Sequence, residues 1–399
     1  MAVYPNDMLT PTFLMGAIQE RPERNSIKMS YMGEQLFPRK DVPERRLMWD
    51  SMVSENNLAG FYSPKGAAIP GSDLMFATHF ADLVDMKASR YLDADILAKV
   101  RDPGMAAVVK AAGDSFTVKS IMERVNTHVR DNLAWCDDAV DAQLEYLSMS
   151  AITGSIVWPP KAADGSDITD LMPHWNSQME MNVTFPLRAE FKQDVSALTG
   201  YKGRTGGGYA WTNASADPIK DLEVIAEFMV EQTGIDPYGA KLIMSRSTLS
   251  RIAFLPNILR WITGVEYNGS GMVTNGSPAI GYADIAAIKS FVQTRLGYEI
   301  VLYDAQWTYR TLNKTTGVEA VNRVKFLKEG KVIILPKSFN LGFMAMAPHE
   351  TQAGSWVTGK SAWYWQSDKP PVQREMGVNI VAFPVINYPD EIFNLDVYA

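Results

Sequence analysis

The stretch with the most catalytic look is Gly354-Ser-Trp-Val-Thr-Gly359-Lys360-Ser361, which fits the spacing G-x-x-x-x-G-K-[ST]. In a nucleotide site that spacing lets backbone N–H groups cradle phosphate at a helix N-terminus, while the lysine reaches the outer phosphates. Such a loop needs a buried strand before it and a helix after it. Here the preceding Ala347-Pro-His-Glu-Thr-Gln-Ala is polar and holds a proline. The following Ala362-Trp-Tyr-Trp-Gln-Ser-Asp-Lys-Pro-Pro makes a poor helix that stops at a double proline. The context therefore predicts a surface loop, with a nucleotide-binding enzyme as the alternative the spacing leaves open.

The other chemically capable groups are thinly spread. The glycine-rich runs at 203–208 and 269–276 lack the strand-then-helix flanks of a dinucleotide site and read as loops. Asp137, Asp138 and Asp141 form an acidic cluster that reads as a solvated helix face rather than a cation site. Cys136, the single cysteine, falls in an apolar stripe and reads as an inert core thiol, which excludes an internal disulfide. The four histidines, His79, His128, His174 and His349, are scattered, and no Ser/His/Asp arrangement follows from spacing. Trp356, Trp363, Tyr364 and Trp365 read as core or subunit interface. The expectation is no catalytic residue, no metal site and no cofactor.

The elements that would position these groups are unevenly legible. Apolar residues at Val118, Met122, Val125, Val129, Leu133, Cys136, Val140, Leu144, Leu147 and Ala151 recur every three or four positions, which predicts one helix over 117–152. At 1.5 Å per residue such a helix is about 54 Å long, comparable to the diameter of a compact chain of this size. From Asp217 a compact α/β unit follows. Asp217-Pro218 opens a helix that Gly234 closes, and Lys241–Ser245 is a short buried strand. A helix from Ser247 to about Ile262, a helix Ala283–Leu296 and strands at Glu299–Tyr303 and Lys331–Pro336 complete it, with a hairpin around 314–317. The first 60 residues, broken by prolines and mixed in charge, read as an extended arm. Residues 61–101 read as a long two-stranded excursion that needs a neighbour to lie on.

Composition bounds the class. The chain has 399 residues, 46% hydrophobic and 21% charged, which fits a globular protein of two or three domains rather than a disordered one. The formal charge of −7 argues against tight, sequence-independent binding to nucleic acid. No apolar run is long enough for a membrane helix, so no membrane partner is expected, and the N-terminal residues do not read as a secretory signal.

The order of arm, long hairpin, very long helix, broken strands and compact α/β unit resembles the major capsid proteins of tailed bacteriophages. The resemblance is to the lambda-type major head protein family, also called major capsid protein E. It is carried by Asp236-Pro-Tyr-Gly-Ala-Lys-Leu-Ile-Met-Ser-Arg-Ser-Thr-Leu-Ser-Arg-Ile and Gly297-Tyr-Glu-Ile-Val-Leu-Tyr-Asp. Phe326-Leu-Lys-Glu-Gly-Lys-Val-Ile-Ile-Leu-Pro and Asn379-Ile-Val-Ala-Phe-Pro-Val-Ile-Asn-Tyr-Pro-Asp add to it.

The resemblance implies an α+β chain with the Hong Kong 97-type capsid fold. It implies an N-terminal arm at 1–60, an extended E-loop at 61–101, and a peripheral domain at 102–217 with the spine helix 117–152. An axial domain at 218–345 and a return to the peripheral domain at 346–399 complete the division. Implied contacts between copies are Lys65, Phe76, His79, Lys87 and Arg90 in the E-loop. In the axial loop they are Asn268, Met272 and Asn275, and in the arm Arg21, Arg24, Arg45 and Arg46. The implied function is a structural one: hexamers and pentamers of one chain, assembled in the host cytoplasm, form an icosahedral virion shell. Its implied partners are portal, scaffold and decoration proteins and packaged double-stranded DNA held without specific binding. No covalent crosslink between subunits is expected. An encapsulin-like compartment shell of the same fold is the nearest alternative.

Overall fold

The computed structural model describes residues 31–52, 76–91, 118–161, 181–198, 208–234, 237–263, 267–268, 272–273, 283–312, 317–337, 341–352, 355–366 and 374–398. Its longest element is the helix Val118–Thr153, 36 residues, as the apolar stripe predicts. Val129, Leu133, Cys136, Val140, Leu147 and Ala151 of that stripe are buried. Gly154, at φ 99°, takes the left-handed conformation that ends the helix.

The long helix packs on a sheet built around Arg374–Ile386, a 13-residue strand buried along nearly its whole length. Ser361–Gln366, Val84–Tyr91 and Gly342–Met346 all pair with it antiparallel. The short strand Arg39–Asp41 joins the far edge, parallel to Gly342–Met346. Apolar side chains of helix and sheet form one core. A second core fills an α/β unit. Its sheet runs Glu299–Leu302, Lys241–Met244, Lys331–Leu335, Phe393–Asp396, Lys192–Asp194, with parallel pairing at both edges.

This pairing moves several boundaries read from sequence. Gly342–Met346 belongs to the sheet of the long helix, not to the α/β unit. Conversely, Lys192–Asp194 and Phe393–Asp396 are strands of the α/β sheet, so the chain crosses between cores more often than a linear division allows. The hairpin also begins earlier than position 61. Arg46–Met52, assigned to the arm, pairs with Phe76–Asp82 to make a two-stranded ribbon whose inner residues Leu47, Trp49 and Ala81 pack on the main core. Residues 53–75 and 92–101 of the expected excursion lie outside the described residues.

Within the α/β unit the helix Pro218–Thr233 matches its sequence signals. Asp217 accepts from Lys220 N (3.3 Å), and Gly234, at φ 68°, closes it. The single helix expected from Ser247 is two, Arg246–Ile252 and Pro256–Thr263. Ser245, rather than Ser247, caps the first by accepting from Thr248 N (3.2 Å). Pro256 has no N–H to continue that helix and instead occupies the first position of the next.

Candidate functional site

The N-terminal part of the described chain is held on the long helix by one carboxylate. Glu145 faces inward from that helix and is almost fully buried. Its Oε1 accepts from Met32 N (2.9 Å) and from the Tyr303 hydroxyl (2.6 Å), and its Oε2 accepts from Gly33 N (2.7 Å). Burial pushes the Glu145 carboxyl above the usual carboxylate range, while the three donors pull it back. Tyr303 is held well above its ordinary value by burial and by the same carboxylate. Residues 32–33, the long helix and the α/β unit thus meet at a single side chain. A cavity of about 250 Å³ opens beside it, lined by Phe37, Arg39, Leu144, Met344 and Lys360 among others.

From Ser355 on, the phosphate-loop spacing resolves into two strands joined by a turn. Ser355–Thr358 pairs back on Pro348–Gln352, Gly359 turns at φ 90°, and Ser361–Gln366 joins the main sheet instead. No helix follows Lys360, so the backbone offers no phosphate cradle. The lysine is instead an ion-pair partner: its Nζ lies 2.7 Å from Asp137 Oδ1 and also contacts Asp141 Oδ1. This corrects the reading of the acidic cluster as a solvated face. Asp137 and Asp141, four residues apart, share one side of the long helix, and Lys360 closes over them so that Asp137 is buried.

Three polar groups that spacing could not connect also meet. His349 Nε2 lies 2.6 Å from Ser361 Oγ, and Ser361 Oγ donates to Asn379 Oδ1. The serine proton is committed to Asn379, so the imidazole must donate from Nε2. That direction is opposite to a general base activating a nucleophile. All three are buried, and the network seats the hairpin Pro348–Thr358 on the sheet.

Burial lowers the His349 imidazole below its ordinary value; Asn379, Asp85 and the Ala347 carbonyl oppose the shift, and Arg45 adds to it. A lowered histidine leaves the folded protein with fewer protons than the unfolded chain, so stability is full above about pH 6.5 and falls as pH drops below it. Melting temperatures measured from pH 7.5 to 5 should therefore fall more steeply for the native protein than for His349→Gln. Parallel curves would show that the imidazole does not titrate against folding. Cys136, by contrast, is chemically quiet, its thiol pushed up to about 12 by burial on the stripe.

The contact residues expected from sequence fall into distinct settings. Arg21, Arg24, Lys65 and Asn275 lie outside the described residues. Phe76 pairs with Met52 in the ribbon, and Asn268 pairs with Met272 in a short two-stranded piece. His79 is half-buried, its Nε2 2.9 Å from Ser51 Oγ and its ring 5.4 Å from that of Trp49 in a tilted arrangement. Arg90 lies 4.1 Å over the Trp135 ring and donates to Asn132 Oδ1 (3.1 Å), so it is engaged within its own chain. Arg45 pairs with Asp85 at 3.2 Å. Lys87 is exposed on the outer face of its strand, and Arg46 is exposed with only a 3.9 Å approach to Asp82.

Sequence reasoning missed an exposed apolar pair on the ribbon. Met48 and Phe80 sit opposite each other on the outer face of the ribbon, exposed at 64% and 63%. The alternation Leu47, Trp49, Ser51 inward against Met48, Asp50 outward was available as a signal, but only once the strand pair was known.

A long helix on a sheet, a separate α/β core and a two-stranded ribbon make up a capsid fold of the Hong Kong 97 type. Among solved structures, a prophage protein of E. coli CFT073 described as a candidate capsid protein matches with a TM-score of 0.54. It is 13% identical, over 97% of this chain and 99% of that one, and it carries the fold assignment. A phage-related protein of Bordetella bronchiseptica RB50 matches at 0.45 with 14% identity, covering 98% and 97% of the two chains. The satellite phage P4 procapsid matches at 0.41 with 11% identity, covering 99% and 92%. Compared by sequence with curated proteins, the chain matches none.

The family of phage major capsid protein E matches residues 10–397, and the chain belongs to that family. It is a structural protein of the virion, a subunit of the self-assembled phage head shell.

Proposed function

We propose that copies of this chain form hexamers and pentamers that close an icosahedral head around double-stranded DNA, with no catalytic activity of their own. The core of the long helix is the peripheral domain in this reading. The α/β unit is the axial domain, with the loop around Asn268 and Met272 towards the capsomer centre. The arm and the ribbon reach across neighbouring copies. One observation carries the reading: Met48 and Phe80 form an exposed apolar pair on the outer face of a two-stranded ribbon. Such a pair gains stability when a second surface covers it.

The net charge of −7 suits a wall that does not hold its contents, so DNA retention by shells should change little with salt. Portal, scaffold and decoration proteins complete the head, which is assembled in the host cytoplasm. Negative-stain electron microscopy of the purified full-length protein should show closed shells or rings of five and six subunits. A uniform monomer at high concentration would refute the reading.

A further inference from the structure

The outer face of the main sheet carries a second unpartnered feature. Tyr91, Glu375 and Trp365 stand at one register on three adjacent strands, Glu375 on the central one. Residues paired across strands share a face, so the two rings flank the carboxylate. Tyr91 is 66% exposed and Trp365 50%, and Glu375 is partly exposed. Two ring faces and a carboxylate recognise one chemistry above others: a guanidinium or ammonium, held by ion pairing and by the ring quadrupoles.

We propose that this row is the receptor for the ribbon of a second copy, with the neighbour's Arg46 entering between the rings and its Met48 and Phe80 packing on them. The inference rests on the shell-forming role and names the surface that completes it. Arg46, Met48 and Phe80 share the ribbon's outer face, because Arg46 pairs with Asp82 and Met48 with Phe80 in the same ladder, two residues apart. The Arg46 side chain is 78% exposed, free to exchange its weak 3.9 Å contact with Asp82 for a stronger one.

The two surfaces cannot meet within one chain. The ribbon leaves the sheet at Val84, seven residues before Tyr91, which is about 23 Å along a strand. It then runs the other way: the Trp49 ring lies 6.0 Å from that of Phe383, tilted by 47°, and Phe383 lies beyond Ala382, the partner of Val84, on the side opposite Glu375. Complementary surfaces at opposite ends of a subunit make a heterologous contact, the type that closes rings and shells.

A charge exchange tests this in the full-length protein, with particle yield read by sedimentation and negative-stain microscopy. Glu375→Arg and Arg46→Glu should each lower yield at least tenfold, and the double variant should regain most of it. Tyr91→Thr with Trp365→Thr, at exposed strand positions that tolerate threonine, should lower yield without any change of charge. Circular dichroism checks that each variant is folded. Single variants that assemble like the native protein, or a double variant no better than the singles, would overturn the proposed contact while leaving the shell role intact. Absence of particles from the native protein would count against the shell role itself.

Discussion

Glu145→Ala should lower the unfolding free energy of the unassembled subunit by about 3–5 kcal/mol, measured by urea denaturation. The substitution leaves Met32 N, Gly33 N and the Tyr303 hydroxyl without an acceptor in a buried place. Each unpaired buried donor costs about 1–3 kcal/mol. Removal of a carboxyl whose own burial is unfavourable offsets part of that sum, which sets the net effect near its lower end. Glu145→Gln should cost roughly half as much, since its amide oxygen can still accept from Met32 and Tyr303 while its NH₂ group opposes Gly33 N.

The pH dependence has a definite sign. A carboxyl raised in the folded state makes stability greatest below the ordinary carboxylate range and lets it fall as pH rises through the raised value. Glu145→Gln should flatten that slope. Gly33→Ala probes the same anchor from the other side, because a Cβ there would lie 2.6 Å from Glu145 Oε2 and 2.7 Å from Ser148 Oγ. A loss below 1 kcal/mol for Glu145→Ala would mean that residues 32–33 are held by other contacts.

The reasons these features were or were not legible in the sequence are physical. The long helix was readable because its signal is local: steps of three and four, summed over ten turns, admit one period only. The helix Pro218–Thr233 was readable because Asp, Pro and Gly each fix one backbone position within it. The ribbon was not, because the partner of Arg46–Met52 lies across residues 53–75, and strand pairing over such a distance leaves no local mark. The crossing of Phe393–Asp396 into the α/β sheet escaped for the same reason. The break before Pro256 was visible in principle, since a proline inside a helical pattern ends it, but the apolar spacing continued across it and masked the stop.

Polar residues were the hardest to place. A glutamate or aspartate on a helix defaults to the wet side, because burying its charge is costly. Glu145, Asp137 and Asp141 contradict that default through partners 112, 223 and 219 positions away in sequence. Likewise, Tyr91, Glu375 and Trp365 become one surface only when three strands are set in register. The fold class was therefore open to periodicity and resemblance, while the groups that join its parts required the long-range pairing itself.

Lys360→Met should cost about 3 kcal/mol of stability and change nothing in nucleotide binding. The methionine keeps the stem that covers the long helix but leaves Asp137 and Asp141 facing each other without their shared cation. Both carboxylates are largely covered, at 10% and 20% side-chain exposure, so water restores little of what the ammonium supplied. Repulsion between the two acids adds to the loss. Adding Asp137→Asn should therefore recover part of it, and a double-mutant cycle by urea denaturation would measure the coupling.

The same variant separates the two readings of the glycine–lysine loop. A phosphate site predicts that native protein binds ATP and that Lys360→Met abolishes it, with stability little changed. An ion-paired turn predicts no ATP binding by either protein in equilibrium dialysis and a clear shift of the denaturation midpoint. The geometry favours the second, since a lysine already flanked by two aspartates and followed by a strand has neither a free charge nor a helix N-terminus to offer phosphate.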